Sequence, residues 1–317
     1  MTIKTVLPIS TCWIVTEGLI GLQNQAIGLA QALGVSYVVK EVKKPKGIWR
    51  LLFPSLEEQF TPPWPDLLIS CGRQSVAVSL AIRRASGKKT FTVHIQDPLI
   101  DPEKFDVVVV PAHDKLRGKN VLVTQGAIHR VNLEKLINAA DQFRRLVEVL
   151  PHPLISVLVG GKNRHQGFSA VSAHDFAGKL QMAATNIRGG LAVTFSRRTG
   201  AENEAILRKN LAGVPSYIWD GQGENPYFGL LALAEAIIVT CDSISMISEA
   251  CSTGKPVYIY ELPNCGRRHK KFCESLIHQG LARPFLGTVE SWEYMPLNDT
   301  YKAAEYVHEH YISSVTT

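Results

Sequence analysis

The sequence predicts an α/β protein made of two consecutive Rossmann-like βαβ domains that face a ligand cleft. Three observations carry this prediction. Short apolar runs alternate with helical patterns along the whole chain, which argues for parallel sheets covered on both faces. A helix-patterned stretch, Leu133–Leu150, ends at Pro151-His152-Pro153 with enough chain on either side for a core of its own. Last, the stretch from Ala236 to Tyr260 reads as strand, hydroxyl-rich turn, short helix, Gly-Lys-Pro and strand.

Taken in order, the strands of a first domain, residues 1–150, are Cys12–Val15, Tyr37–Val42, Leu67–Ser70, Thr90–Ile95, Val107–Val110 and Val121–Val123. After Pro153 the series restarts in a second domain, residues 151–317. Its strands are Leu154–Val159, Gly190–Phe195, Ser216–Ile218, Ala236–Thr240 and Pro256–Tyr260. A helical tail, Ala303–Tyr311, is expected to cross back to the first domain.

The composition bounds the function. With 317 residues, 45% hydrophobic and 20% charged, the chain has an ordinary globular make-up. A net charge of +6 favours anionic partners such as nucleotides, phosphates or lipid headgroups, and falls short of a nucleic-acid footprint. Six scattered cysteines without a C-x-x-C spacing suit a reducing cytoplasm. The N-terminus lacks an apolar h-region, and Phe228–Val239 is too short to span a bilayer, so neither a signal peptide nor a membrane span is expected.

The strongest chemical signal is Asp242 to Ala250 with Gly254-Lys255-Pro256. Asp242 or Ser243 can cap the short helix. A helix N-terminus offers N–H groups and a positive dipole end to phosphate. Ser243 and Ser245 add hydroxyl donors, and Glu249 can accept from two ribose hydroxyls. Gly160-Gly161-Lys162-Asn163-Arg164-His165 suits a pyrophosphate cradle, although this loop and Ser196–Gly200, each taken alone, read more plainly as solvated loops. Arg197, in Ser196-Arg197-Arg198-Thr199-Gly200, suits diphosphate recognition. Asp220, in Asp220 to Pro226, falls where nucleobase contacts would lie. All follow strand C-termini of one sheet, where open α/β sheets bind ligands.

In the first domain, Gly18 and Gly21 let the backbone turn after the first strand, with a helix from about Asn24. Glu17 is a candidate base or, in the plainer reading, a helix-capping carboxylate. Arg73 begins a helix after Ser70-Cys71-Gly72 and can address a phosphate or carboxylate. Gln96 and Asp97 lie past a strand end, whereas His94, within the strand, reads as a core histidine. The glycine pattern is not a dinucleotide fingerprint, which argues against nicotinamide and against an epimerase that needs it. Cys265, His269 and Cys273 repeat every fourth residue, yet no fourth ligand is evident and no metal is expected. Lys43 to Phe53 interleaves cations with Trp49 and other apolar groups, either as a solvated basic loop or as a segment docking on an anionic membrane.

The chain resembles the mitochondrial fission family first named for elongated mitochondria in plants, which also has bacterial members. The resemblance rests on Cys71-Gly72-Arg73, Gln96-Asp97-Pro98, Pro111-Ala112-His113-Asp114, Ser196-Arg197-Arg198 and Trp219-Asp220-Gly221 with Asn225-Pro226. It continues through Asp242 to Pro256, Arg283-Pro284-Phe285 and Pro296-Leu297-Asn298-Asp299-Thr300. Through that family it is similar to GT-B glycosyltransferases, and the Glu249 segment to the donor-binding turn of the transferase that adds N-acetylglucosamine to lipid-linked peptidoglycan precursors. The resemblance implies that Glu249 holds a ribose. It also implies a mitochondrial-surface role for plant members, through recruitment of a dynamin-related GTPase. Glu17 stands where the resemblance suggests Asp or Asn.

Together these readings lead to a GT-B-like chain that uses a nucleotide-diphosphate sugar as donor substrate, with no cofactor and no metal. Glu17 or Asp97 would deprotonate the hydroxyl of an acceptor, lipid-linked or at a membrane surface if the Trp49 segment docks there; the protein is expected in the cytoplasm, either free or peripheral on a membrane. The rival class is a non-catalytic adaptor for a dynamin-related or other membrane-remodelling partner. No nucleic-acid partner is expected.

Overall fold

The computed structural model describes residues 9–42, 59–161, 167–263 and 265–316. The basic Lys43–Phe53 segment with Trp49, and Lys162 to His165, lie outside the described residues. The chain divides into two units, Met1–Arg130 with Asn298–Thr317, and Val131–Leu297.

The first unit contains β1 (Cys12–Thr16), α1 (Ile20–Leu33), β2 (Tyr37–Glu41), β3 (Leu67–Cys71), α2 (Arg73–Ala85), β4 (Phe91–Ile95), β5 (Val107–Pro111) and β6 (Val121–Thr124). The second begins with α3 (Leu133–Phe143), β7 (Leu154–Val159), α4 (Ala170–Ile187), β8 (Gly190–Phe195), α5 (Ala201–Leu211), β9 (Ser216–Ile218) and α6 (Tyr227–Leu233). It continues through β10 (Ala236–Thr240), α7 (Ile244–Cys251), β11 (Val257–Tyr260), α8 (Arg267–His278) and β12 (Arg283–Pro284). The last helix, α9 (Asp299–Thr316), returns to the first unit. Every strand read from the apolar runs is present to within a residue or two at its ends, and the two-residue β12 is the addition.

Among the described residues each unit holds one six-stranded sheet, in the order β2-β1-β3-β4-β5-β6 and β12-β11-β10-β7-β8-β9. Neighbouring strands are parallel throughout, for example Val15 opposite Ser70 in β1 and β3, and Val239 opposite Leu158 in β10 and β7. Central strands such as β1, β3, β7 and β10 are buried at every position, which is why they read as unbroken apolar runs. Each fully buried Ile or Leu here contributes roughly 1.5–3 kcal/mol.

Local chemistry sets the helix ends. α1 begins at Ile20, earlier than Asn24, because the Leu19 carbonyl accepts the N–H groups of both Leu22 and Gln23. It stops at Gly34, whose φ of 70° lets Gly34 and Val35 return to carbonyls of the last turn. α3 is capped by Asn132 accepting the Lys135 amide at 2.8 Å, and α4 by Ser169 accepting that of Ser172 at 3.2 Å.

The division of the chain falls at residue 130 and not at the Pro-His-Pro break. α3 packs on α6 so closely that a Cβ on Gly229 would come 2.7 Å from the Phe143 Cβ, which holds residues 131–150 in the second unit. α9 buries Ala303, Ala304, Val307 and Tyr311 in the same core as Ala26, Leu29, Ala30 and Leu33 of α1.

Candidate functional site

A parallel sheet presents a crevice where the strand order reverses, since the loops on either side of that point part to opposite faces. In the second unit the chain runs outward from β7 to β8 and β9 and then returns to β10 on the other side of β7. The reversal therefore lies between β7 and β10. Gly160-Gly161 follows the first of these strands and Cys241-Asp242-Ser243 the second.

The two loops are locked together by Asp242. Its buried carboxylate accepts the Gly161 amide at 2.8 Å and the Thr240 hydroxyl at 2.7 Å, and Thr240 in turn accepts the Gly160 amide at 2.7 Å. A Cβ on Gly160 would sit 2.2 Å from the Asp242 carboxylate, and one on Gly161 2.0 Å from the Arg198 carbonyl, so both positions need glycine for close approach. Thr199 adds a third strand end, its hydroxyl donating to the Gly160 carbonyl at 2.5 Å. The Gly161 amide is thus given to Asp242, and the other polar groups at this strand end belong to its neighbours.

Those groups are at the start of α7. Ser243 is its N-cap, with the hydroxyl accepting the Met246 amide at 3.4 Å. The first-turn amides of an α-helix have no partner within the helix, which leaves this end suited to an anion. Ser245 lies in that turn, half-buried, and Glu249 four residues on shares its helix face. Arg198 reaches the Asp242 carboxylate at 3.5 Å. His269 of α8 is held below its usual pKa mainly by burial; Asp242 opposes the shift, while Arg268 and Arg198 add to it. Arg198 therefore sets a positive charge against the buried carboxylate, and Arg268 lies close enough to His269 to help keep that ring neutral.

Glu249 is 6% exposed and accepts a hydrogen bond from the Tyr227 hydroxyl. Burial, with the Glu249 charge beside it, pushes the Tyr227 phenol well above its usual pKa, so it stays a donor. Tyr227 opens α6 directly after the loop that contains Asp220. Asp220 is exposed and accepts the Gln222 amide at 2.9 Å, and Arg208 pins the loop's start through the Trp219 carbonyl at 2.5 Å. Arg197 is exposed on the β8–α5 turn. Lys255, of the Gly-Lys-Pro turn, serves the fold. Its ammonium donates to the Leu231 carbonyl at 3.0 Å and to that of Ala232, closing the end of α6. Burial lowers its pKa to about 8.

In the first unit the corresponding reversal lies between β1 and β3. Glu17, after β1, accepts the Gln74 amide at 2.9 Å and so occupies the N-terminus of α2, beside exposed Arg73. The carboxylate caps α2 rather than α1, the helix nearest in sequence. Gly18 has a φ of 75°, while Gly21 has open space around it and no demand for glycine. Gln96 holds a φ of 83° just past β4 as its amide donates to the Val109 carbonyl, and Asp97 accepts the Leu99 amide at 2.8 Å. His94 is a core residue: Ser70 lies 2.8 Å from its Nδ1, and burial pushes its pKa down to about 3.

The remaining motifs resolve simply. The Cys265 thiol points to the Cys241 carbonyl at 3.9 Å, and the Cys241 thiol accepts the Leu262 amide at 3.3 Å. Among the described residues no group of three or more His, Cys, Asp or Glu side chains is arranged to hold a metal, and no helix is long and apolar enough to cross a membrane. Sequence reasoning missed Tyr227, Arg268 and the locking role of Asp242, and it weighed His269 only as a metal ligand. The Asn225-Pro226 helix start before Tyr227 was the available signal; nothing local marks the others.

Two units, each an all-parallel Rossmann-like sheet with its helices, make a GT-B-like fold. A Methanocaldococcus jannaschii UDP-GlcNAc 2-epimerase, solved with UDP-GlcNAc and UDP, is similar at a TM-score of 0.53 and 12% identity, over 96% of this chain and 99% of that one. A putative UDP-N-acetylglucosamine 2-epimerase from Listeria monocytogenes is similar at a TM-score of 0.52 and 10% identity, over 96% and 88%. At such identities the likeness is one of fold.

Residues 20–311 match the family described as Mitochondrial fission ELM1, and the chain belongs to that family. It is 35% identical over 270 residues to the Mitochondrial fission protein ELM1 of Arabidopsis thaliana, a match covering 76% of this chain and 62% of the plant protein's length. It is 28% identical to an uncharacterized protein, RP120, of Rickettsia prowazekii, across 93% of this chain and 97% of that one.

Proposed function

We propose that the second unit binds a nucleotide-diphosphate sugar and that the chain is a metal-independent glycosyltransferase using it as donor. The observation that carries this reading is the α7 segment. A Ser243-capped helix N-terminus stands at the strand-order reversal, the Arg198 guanidinium reaches Asp242 beside it, and buried Glu249 follows on the Ser245 face. Ser243, Ser245, the first-turn amides and Arg197 or Arg198 would stabilise the departing diphosphate, with Gly161 shaping the loop and Lys162 adding charge. Glu249 would accept the ribose hydroxyls, and Asp220 would stand on the nucleobase side. In the first unit Glu17 or Asp97 would take the proton of an acceptor hydroxyl, lipid-linked or at a membrane surface. Gly18, Gly21, Arg73 and Gln96 would shape the acceptor side.

A second reading is favoured by one observation. Both proposed bases already accept backbone amides, Glu17 from Gln74 and Asp97 from Leu99. That suits a chain that keeps a nucleotide site and acts by recruiting a membrane-remodelling partner such as a dynamin-related GTPase.

The UDP and UDP-GlcNAc bound by the Methanocaldococcus protein make uracil nucleotides the first probes. Calorimetric titration with UDP, GDP, ADP and their sugars, on the wild type and Glu249→Ala, tests the donor site. Micromolar binding lost in the variant supports it, and silence across the panel overturns it. Given a bound donor, slow release of free sugar or its transfer to lipid extract, abolished by Glu17→Gln or Asp97→Asn, separates enzyme from adaptor.

A further inference from the structure

We propose that Tyr227 is a positioning residue for the ribose-binding carboxylate, and that the Tyr227–Glu249 pair sets discrimination between ribonucleotides and 2′-deoxyribonucleotides. The inference rests on the nucleotide-site reading above and goes beyond it by assigning the origin of sugar selectivity. Its basis is geometric. Glu249 sits on α7 and Tyr227 on α6, 22 positions apart in sequence, and the phenol of one donates to the Oε2 of the other. A glutamate carboxylate carries three side-chain torsions, and it can accept two neighbouring hydroxyls at once only when its plane is fixed. A hydrogen bond to a carboxylate buried from water supplies that constraint before any ligand arrives.

Tyr227 is itself held. Its amide donates to the Asn225 side chain at 3.0 Å, and its ring meets Phe228 edge-on with centroids 5.3 Å apart. Pro226 precedes it at the helix start. The loop carrying Asp220 is therefore tied through Tyr227 to Glu249, so that the nucleobase side and the ribose side are fixed as one body. Loss of the phenol oxygen alone leaves the ring packing in place and removes the phenol's hold on the carboxylate plane.

The test is calorimetric titration with UDP, GDP and ADP and with their 2′-deoxy counterparts, on the wild type, Tyr227→Phe, Asn225→Ala and Glu249→Ala. The wild type is expected to prefer its ribonucleotide about tenfold or more, equivalent to about 1.4 kcal/mol. Tyr227→Phe should bring the preference within about twofold while binding of the deoxynucleotide changes little. Asn225→Ala, at an exposed loop position, should lower the preference by a smaller factor. Full preference retained in Tyr227→Phe overturns the inference while leaving the nucleotide site standing. Absence of nucleotide binding in the wild type overturns the nucleotide-site reading and this inference with it. Preference retained in Glu249→Ala removes Glu249 from the ribose and overturns this inference, with the nucleotide site still standing.

Discussion

The Asp299 carboxylate accepts the Gly126 amide at 2.7 Å across 173 positions of sequence, and the same carboxylate accepts the Gln125 amide at 3.2 Å. Thr300 continues the seam, its hydroxyl accepting the His129 amide at 3.1 Å. The Asn298-Asp299-Thr300 motif is thus the fastening that returns the last helix to the first unit. Asp299 is 3% exposed, so truncating it strands two amides without water to replace it. Asp299→Ala is expected to lower unfolding free energy by about 2–4 kcal/mol, and Asp299→Asn by less, as read by urea denaturation.

Two glycines of α1 should respond in opposite ways. A Cβ at Gly28 would stand 2.2 Å from the His129 backbone oxygen, whereas Gly21 has open space. Gly28→Ala forces helix and loop apart and should cost about 2 kcal/mol or more. Gly21→Ala should be neutral or stabilising by about 0.5 kcal/mol through backbone entropy. Equal effects in a thermal melt would sink the close-packing account.

Stability should fall on mild acidification because of His94. Its folded pKa is pushed down from 6.5 to about 3 by burial. The neutral ring is therefore the folded form, and the unfolded chain binds the proton first. The contribution is complete above pH 6.5 and is lost as pH falls through the window toward 3, by up to about 1.4 kcal/mol per pH unit. Between pH 6.5 and 5, above most carboxylate titrations, urea midpoints should drop in the wild type and flatten in His94→Asn.

Arg198 touches the locking carboxylate, and Arg197 beside it is exposed. Arg198→Ala is expected to weaken nucleoside diphosphate binding about tenfold, roughly 1.4 kcal/mol, while leaving nucleoside binding unchanged. Arg197→Ala should weaken it less. A calorimetric comparison of UDP with uridine reads both, and equal loss for the two ligands would point to a general structural effect.

Much of the fold was legible because buried parallel strands leave continuous apolar runs and each is followed by its own helix pattern. The candidate α7 site was legible for the same reason: Ser243, Ser245 and Glu249 lie within one helix, where spacing alone assigns a cap and a shared face. The boundary at residue 130 was not, because α3 owes its place to packing against Gly229, far along the chain. Glu17 shows the limit most clearly. Its sequence neighbours suggest a base or a cap for α1, yet the pairing of β1 with β3 brings it to the N-terminus of α2. Tyr227 and Glu249 likewise become partners only when α6 and α7 are brought together. Sequence by itself determined the periodicities and the chemistry within each element. Tertiary structure decided which strand ends adjoin and so which charges meet, because those contacts depend on strand order and helix packing that local propensity does not encode.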